Sequence, residues 1–162
     1  MTLHQFAAKI IPGCLLRIEG LELKAIGKST YVTQSQPDTA YVKAFFEGHH
    51  ALVICPEDQL AYFGRDVGSI GICEPMPESL VYQGELYSLV EHDYQIVKEL
   101  VFGSPLDVEG EVEFWDYECL SDKNRVLSLG VAVRTGKHSD IVATVLSSLD
   151  GVLVECKNDP KE

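Results

Sequence analysis

Asp116 and Glu118 are the residues whose type and spacing come nearest to chemistry. They stand two apart in Glu111-Val112-Glu113-Phe114-Trp115-Asp116-Tyr117-Glu118-Cys119-Leu120, which also holds the single tryptophan. At ~3.4 Å of rise per residue, a strand sets them on one face about 7 Å apart. Carboxylates paired at that distance suit acid–base work, in which one group gives a proton and the other takes one. Trp115 and Tyr117 share the opposite face. Exposed, the two rings form a flat platform for a ligand or a protein partner; buried, they are core. Glu109, Glu111 and Glu113 lie close by and fit the plainer role of a charged strand edge. The candidate binding residues are therefore Trp115, Tyr117, Asp116 and Glu118, and no residue is assigned a catalytic role.

Other chemistries lack their residues. Neither a G-x-x-x-x-G-K-[ST] nor a G-x-G-x-x-G loop stands between a strand and a helix, and no G-x-S-x-G elbow presents a serine. The glycine-rich run Gly64 to Gly71 carries an Arg65–Asp66 pair and reads as a surface loop. His49-His50, His92-Asp93 and His138-x-Asp140 are the polar histidine pairs. None has zinc-ligand spacing, so neither a metal nor another cofactor is expected. The five cysteines form no C-x-x-C pair. Cys14, Cys55, Cys73 and Cys119 adjoin apolar residues, where a thiol behaves as a small hydrophobe, and a reducing cytoplasm suits them.

Charge narrows the partners. The 162 residues carry 25 acids against 13 bases, a net charge of −12. Nucleic acid and anionic lipid both demand clustered Lys and Arg, so neither is an expected partner. No apolar run reaches the ~18 residues of a membrane helix, and Met1 to Pro12 does not read as a signal peptide. With 46% hydrophobic residues the chain can build a core.

The elements that must position these side chains are mostly strands. Thr2 caps a short helix whose Leu3, Phe6, Ala7 and Ile10 share a face, and Pro12-Gly13 stops it. From Cys14 the period is two. Strands are expected at 14–18, 22–26, 30–33, 40–46, 51–55, 60–63, 80–82, 85–90, 94–101, 112–118, 125–133 and 151–156, with a short one at 70–73. Breaks are expected at Gly27–Ser29, at the Gln34–Asp38 loop and at the polar step Glu91-His92-Asp93. Ile141 to Leu149 suits a strand in its first part and also marks a helical face.

Pro75-Met76-Pro77-Glu78 is the internal boundary, because two prolines interrupt any ladder. It divides the chain into a first β half with the helix at 1–74, a connection at 75–78, a second β half at 79–157 and a tail at 158–162. The halves resemble each other. Leu16-x-Ile18-Glu19-Gly20 reads like Leu80-x-Tyr82-Gln83-Gly84, and 63 positions beyond Glu22, Leu23 and Tyr31 stand Glu85, Leu86 and Tyr94. The expected fold is all-β and mainly antiparallel, a sandwich or partly open barrel of two similar meander halves.

Phe114-Trp115-Asp116-Tyr117-Glu118, followed by Arg125-Val126-Leu127-Ser128-Leu129, resembles a bacterial family of all-β domains of unknown function. In that family a W-x-Y-E strand precedes a polar turn and a return strand. Gly130 departs from the acid that usually ends the return strand. The resemblance spans about residues 80–133 and implies a fold without implying any catalytic residue. All this points away from catalysis and toward a binding or interaction module, whose partner is another protein or a second copy of the chain. The alternative is an enzyme or small-ligand binder with a pocket between the halves, using Asp116, Glu118 and a histidine.

Overall fold

The structure is a computed structural model that describes residues 2–103, 111–146 and 153–155. The expectations for the 158–162 tail and for the last part of 141–149 lie outside these residues. The chain begins with helix α1 (Leu3–Ala8), closed by a capping box. Thr2 Oγ1 accepts from the Gln5 N–H at 3.1 Å, and the Gln5 side chain accepts from the Thr2 N–H at 2.8 Å.

Eleven strands follow among the described residues: β1 (Leu15–Ile18), β2 (Leu21–Thr33), β3 (Gln36–Phe46), β4 (His50–Cys55), β5 (Leu60–Asp66), β6 (Ser79–Tyr82), β7 (Glu85–Phe102), β8 (Val112–Cys119), β9 (Arg125–Ala132), β10 (His138–Val145) and β11 (Leu153–Glu155). Every pairing is antiparallel, in the order β11-β1-β2-β3-β4-β5-β10-β9-β8-β7-β6. An additional β2–β7 ladder, from Lys28↔Phe102 to Thr33↔Gln95, closes the eight strands from β2 round to β7 into a barrel, with β1, β11 and β6 outside the closed ring. Among the described residues the fold is thus antiparallel β with one short α-helix, as expected, but its sheet closes on itself instead of forming a sandwich or a partly open barrel. Closure follows from strand length. The 13 residues of β2 and 18 of β7 are enough to pair with a neighbour on each side.

The two long strands begin alike. Glu19-Gly20 joins β1 to β2 with φ of 50° and 80°, and Gln83-Gly84 joins β6 to β7 with φ of 49° and 79°. A two-residue hairpin turn with both φ positive matches the right-handed twist of its strands, which is why glycine stands second in each.

Several expected breaks are bulges inside continuous strands. At Gly27–Ser29 the ladder passes from Ala25↔Phe46 to Gly27↔Phe45, leaving Ile26 as one extra residue in β2. At Glu91-His92-Asp93 the ladder to β8 continues past a single irregularity at Val90. Gln34–Asp38 shrinks to the turn Gln34-Ser35, with Thr33↔Gln36 already paired. Residues 138–145 form strand β10 from His138 onward, and the first part of 141–149 is strand. Residues 70–73 form no strand. Ile70 and Ile72 instead pack against the sheet as part of a covering segment.

The apolar core lies outside the barrel wall. Phe6, Ala7 and Ile10 of the helical arm, with Leu16 and Ile18 of β1, bury Ala44, Phe46, Leu52, Ile54, Ala61 and Phe63 on the outer face of β3–β5. On the opposite side Leu80, with Ile70, Ile72 and Met76, covers Tyr87, Trp115, Tyr117, Leu127 and Leu129. Burial of these side chains supplies the main driving force for folding. It also leaves the inner face free to be polar. Among the described residues no helix is long and apolar enough to cross a membrane.

Candidate functional site

Alternation along β8 decides what enters the barrel. Phe114, Asp116 and Glu118 face inward, and Trp115, Tyr117 and Cys119 face the outer core. The inner wall encloses a cavity of about 340 Å³, within the range of small-molecule sites. Its walls include Tyr41 and Lys43 of β3, Val53 and Cys55 of β4, Tyr62 of β5, Glu91 and Gln95 of β7, Val126 and Ser128 of β9, and Ile141 and Ala143 of β10. Glu57 and Asp58, from the β4–β5 turn, stand at the mouth with Glu91 and Glu118. Lys43, Gln95, Phe114, Ser128 and Ile141 also line a 40 Å³ pocket beyond, so these five form a waist across the barrel.

Asp116 is the centre of the wall. Glu91 of β7 and Ser128 of β9 are its register partners on either side, so the three side chains form a row on one face. The Ser128 hydroxyl donates to the carboxylate. Asp116 Oδ1 is buried and has no hydrogen-bond partner. Burial pushes the carboxyl up to about 6; the Ser128 hydrogen bond opposes the shift, Glu91 adds to it, and Lys43 reduces it. Glu91 is also raised, first by burial and then by Asp93 and Asp58.

The remaining groups fix the lower wall. Tyr31 and Tyr41 stack with centroids 5.5 Å apart, and Lys43 Nζ lies 5.2 Å from the centre of the Tyr31 ring. The Tyr41 hydroxyl donates to Gln95 Oε1 at 2.7 Å. Asp93 ties the β2–β3 turn to β7. It accepts from the Ser35 hydroxyl and, at 2.8 Å, from the Tyr94 N–H. Burial pushes the Cys55 thiol up to about 12, with Asp58 and Asp116 adding to it. Tyr62 also rises to about 12, through burial and then Cys55 and Asp116. Neither supplies an anionic nucleophile near neutral pH.

Of the four sequence candidates, Asp116 and Glu118 come together on the inner wall. Trp115 and Tyr117 lie in the outer core at 5% and 0% exposure. The Tyr117 hydroxyl donates to the Pro77 carbonyl at 2.8 Å, and the His92 ring stacks flat on Trp115 at 4.8 Å. The two rings present no open platform. No histidine is among the described residues lining the cavity. His92 bonds Glu113 at 2.7 Å on the outer face, and Asp140, beside His138 on β10, accepts from the Ile70 N–H at 2.9 Å, latching the covering segment. No group of three or more His, Cys, Asp and Glu side chains is arranged for a metal among the described residues.

Lys43, Ser128, Tyr41 and Gln95 escaped sequence reasoning as site residues. Their signal was present in the alternation: Tyr41 and Lys43 share a strand face, as do Val126 and Ser128. A polar residue on an inward face looks the same in sequence as one on a solvent face, and only barrel closure tells them apart. No known family model, curated protein or solved structure matches the chain, so what the site does is read from its own residues.

Proposed function

We propose that this protein is a binding module that takes a small organic molecule into the barrel. One observation carries the reading: a 340 Å³ cavity, walled by aromatic and aliphatic side chains, holds a buried carboxylate oxygen without a partner. A buried polar atom left unpaired costs on the order of 1–3 kcal/mol, and a ligand that donates to it recovers that cost. The free thiols Cys14, Cys55, Cys73 and Cys119 support a reducing compartment such as the cytoplasm. A second reading, a proton-transfer enzyme with Asp116 as general base, draws on the carboxyl raised to about 6, close to a working pH.

Ligand-observed NMR of a fragment library tests the binding reading. Val53→Phe places a ring in the cavity from the wall of β4. Hits that bind wild type and are lost in this variant are the expected result. Equal hits in both proteins, or none with wild type, contradict it.

A further inference from the structure

The acids of the cavity are arranged for a particular class of ligand. Five carboxylates line it, from Glu57, Asp58, Glu91, Asp116 and Glu118, and Lys43 is the only cation among the described lining residues. Lys43 sits at the waist over the Tyr31 ring and opposes the upward shift of the Asp116 carboxyl, so a single cation faces five acids and the mouth half of the cavity stays strongly acidic. Within that half Glu91 and Asp116 are direct register partners on neighbouring strands. Like charges placed opposite each other repel, and the arrangement is costly unless a cation stands between them. An ionised carboxylate only accepts hydrogen bonds, so the unpartnered Asp116 Oδ1 calls for a donor. A metal ion is a poor occupant, since no three ligating side chains converge among the described residues. The neighbouring walls, Phe114, Tyr62 and Val126, are apolar or aromatic and suit a carbon body.

We propose that the ligand is an organic ammonium ion, its charged head between Asp116 and Glu91 and its apolar body against Phe114, Tyr62 and Val126. The proposal rests on the binding reading above and names the chemistry of that same cavity. The ammonium N–H groups donate to Asp116 Oδ1 and to Glu91, making charge-assisted hydrogen bonds. A carboxylate ligand meets repulsion, and an alcohol donates a single hydrogen bond to the carboxylate without the ion pairing.

Three probes with the same phenylethyl body separate these cases: phenethylammonium, 2-phenylethanol and 3-phenylpropionate, titrated calorimetrically into the full chain at pH 7.5. The ammonium is expected to bind at least about tenfold more tightly than the alcohol, and the propionate most weakly. Asp116→Asn should bring the ammonium within about twofold of the alcohol, because the ion pair is lost for the ammonium alone. Glu91→Gln lies at the exposed mouth, where folding is not at stake, and should cut ammonium affinity about threefold or more. Alcohol or propionate binding as tight as the ammonium overturns the ammonium assignment and leaves the binding reading standing. Failure of all three probes overturns the assignment too, and the fragment library and Val53→Phe then decide the binding reading separately.

Discussion

Asp116 and Ser128 face each other across the β8–β9 ladder on the inner wall, and the serine hydroxyl holds the carboxylate while Oδ1 keeps no partner. The pair is half of a site. The serine fixes the side chain's direction, and the open oxygen is where a ligand completes it. Glu91 faces the same carboxylate from β7, Lys43 from β3, and Cys55 and Tyr62 from β4 and β5.

Removing that charge should stabilise the empty protein in a pH-dependent way. The ordinary value for the carboxyl is 3.8, and in the fold it lies near 6. Between the two the folded state binds more protons than the unfolded state, so the site's contribution is best below 3.8 and is lost as pH rises through 6. Asp116→Asn should therefore raise stability at pH 7.5 by about 1–3 kcal/mol, an advantage that disappears at pH 4. Urea unfolding at the two pH values checks it. An equal effect at both contradicts the buried charge.

The thiols should react in order of exposure. Cys73 is exposed in the covering segment, whereas Cys55 is half-buried and pushed up to about 12. Iodoacetamide at pH 7.5, followed by peptide mass mapping, should label Cys73 first and Cys55 at least about tenfold more slowly, because the thiolate is the nucleophile. Comparable rates would show that Cys55 is not shielded inside the barrel.

The β5–β10 seam depends on one absent side chain. Gly64 pairs with Ala143, and a Cβ at Gly64 would lie 2.3 Å from the Val142 carbonyl oxygen and 2.6 Å from the Ala143 methyl. Backbone must move to admit it. Gly64→Ala should cost about 1–3 kcal/mol, seen as a lower urea midpoint. Gly68→Ala, with open space around its Cβ but φ of 80°, separates crowding from backbone strain; it should cost about 1 kcal/mol.

Helix α1 is held to the barrel by a buried lysine. Lys28 Nζ donates to the Ala7 carbonyl at 3.0 Å, and burial lowers the lysine's pKa, opposed by Cys14 and Glu99. Lys28→Ala leaves the Ala7 carbonyl to backbone donors alone, the Ile10 N–H at 3.3 Å among them, and loosens the cover over Phe46 and Leu52. Hydrogen exchange at Phe6 and Ala7 should quicken about tenfold, while Leu127 and Leu129 stay protected.

The local grammar of the fold was legible. Thr2 marked the helix start, and Glu19-Gly20 and Gln83-Gly84 marked the two matching turns. Alternation put Asp116 with Glu118 and Trp115 with Tyr117 on the correct shared faces. Which face turned inward was not legible, because both mix acids with apolar groups. That choice depends on the β2–β7 ladder, a pairing between residues 62 to 74 positions apart that leaves no local trace. Pro37 illustrates the same limit. It reads as a loop residue, yet β3 runs through it, in a stretch exposed to solvent beside the β2–β3 turn where no ladder bond is forfeited.

Occupancy of the barrel interior is tested most directly by methyl-resolved NMR, titrating the labelled protein with phenethylammonium. Val53, Val126 and Ile141 line the cavity, whereas Leu16, Leu52 and Ile54 lie in the outer core. Saturable shifts at the first three, with the second three unmoved, are the expected result. Shifts confined to outer-core or surface methyls would contradict binding inside the barrel.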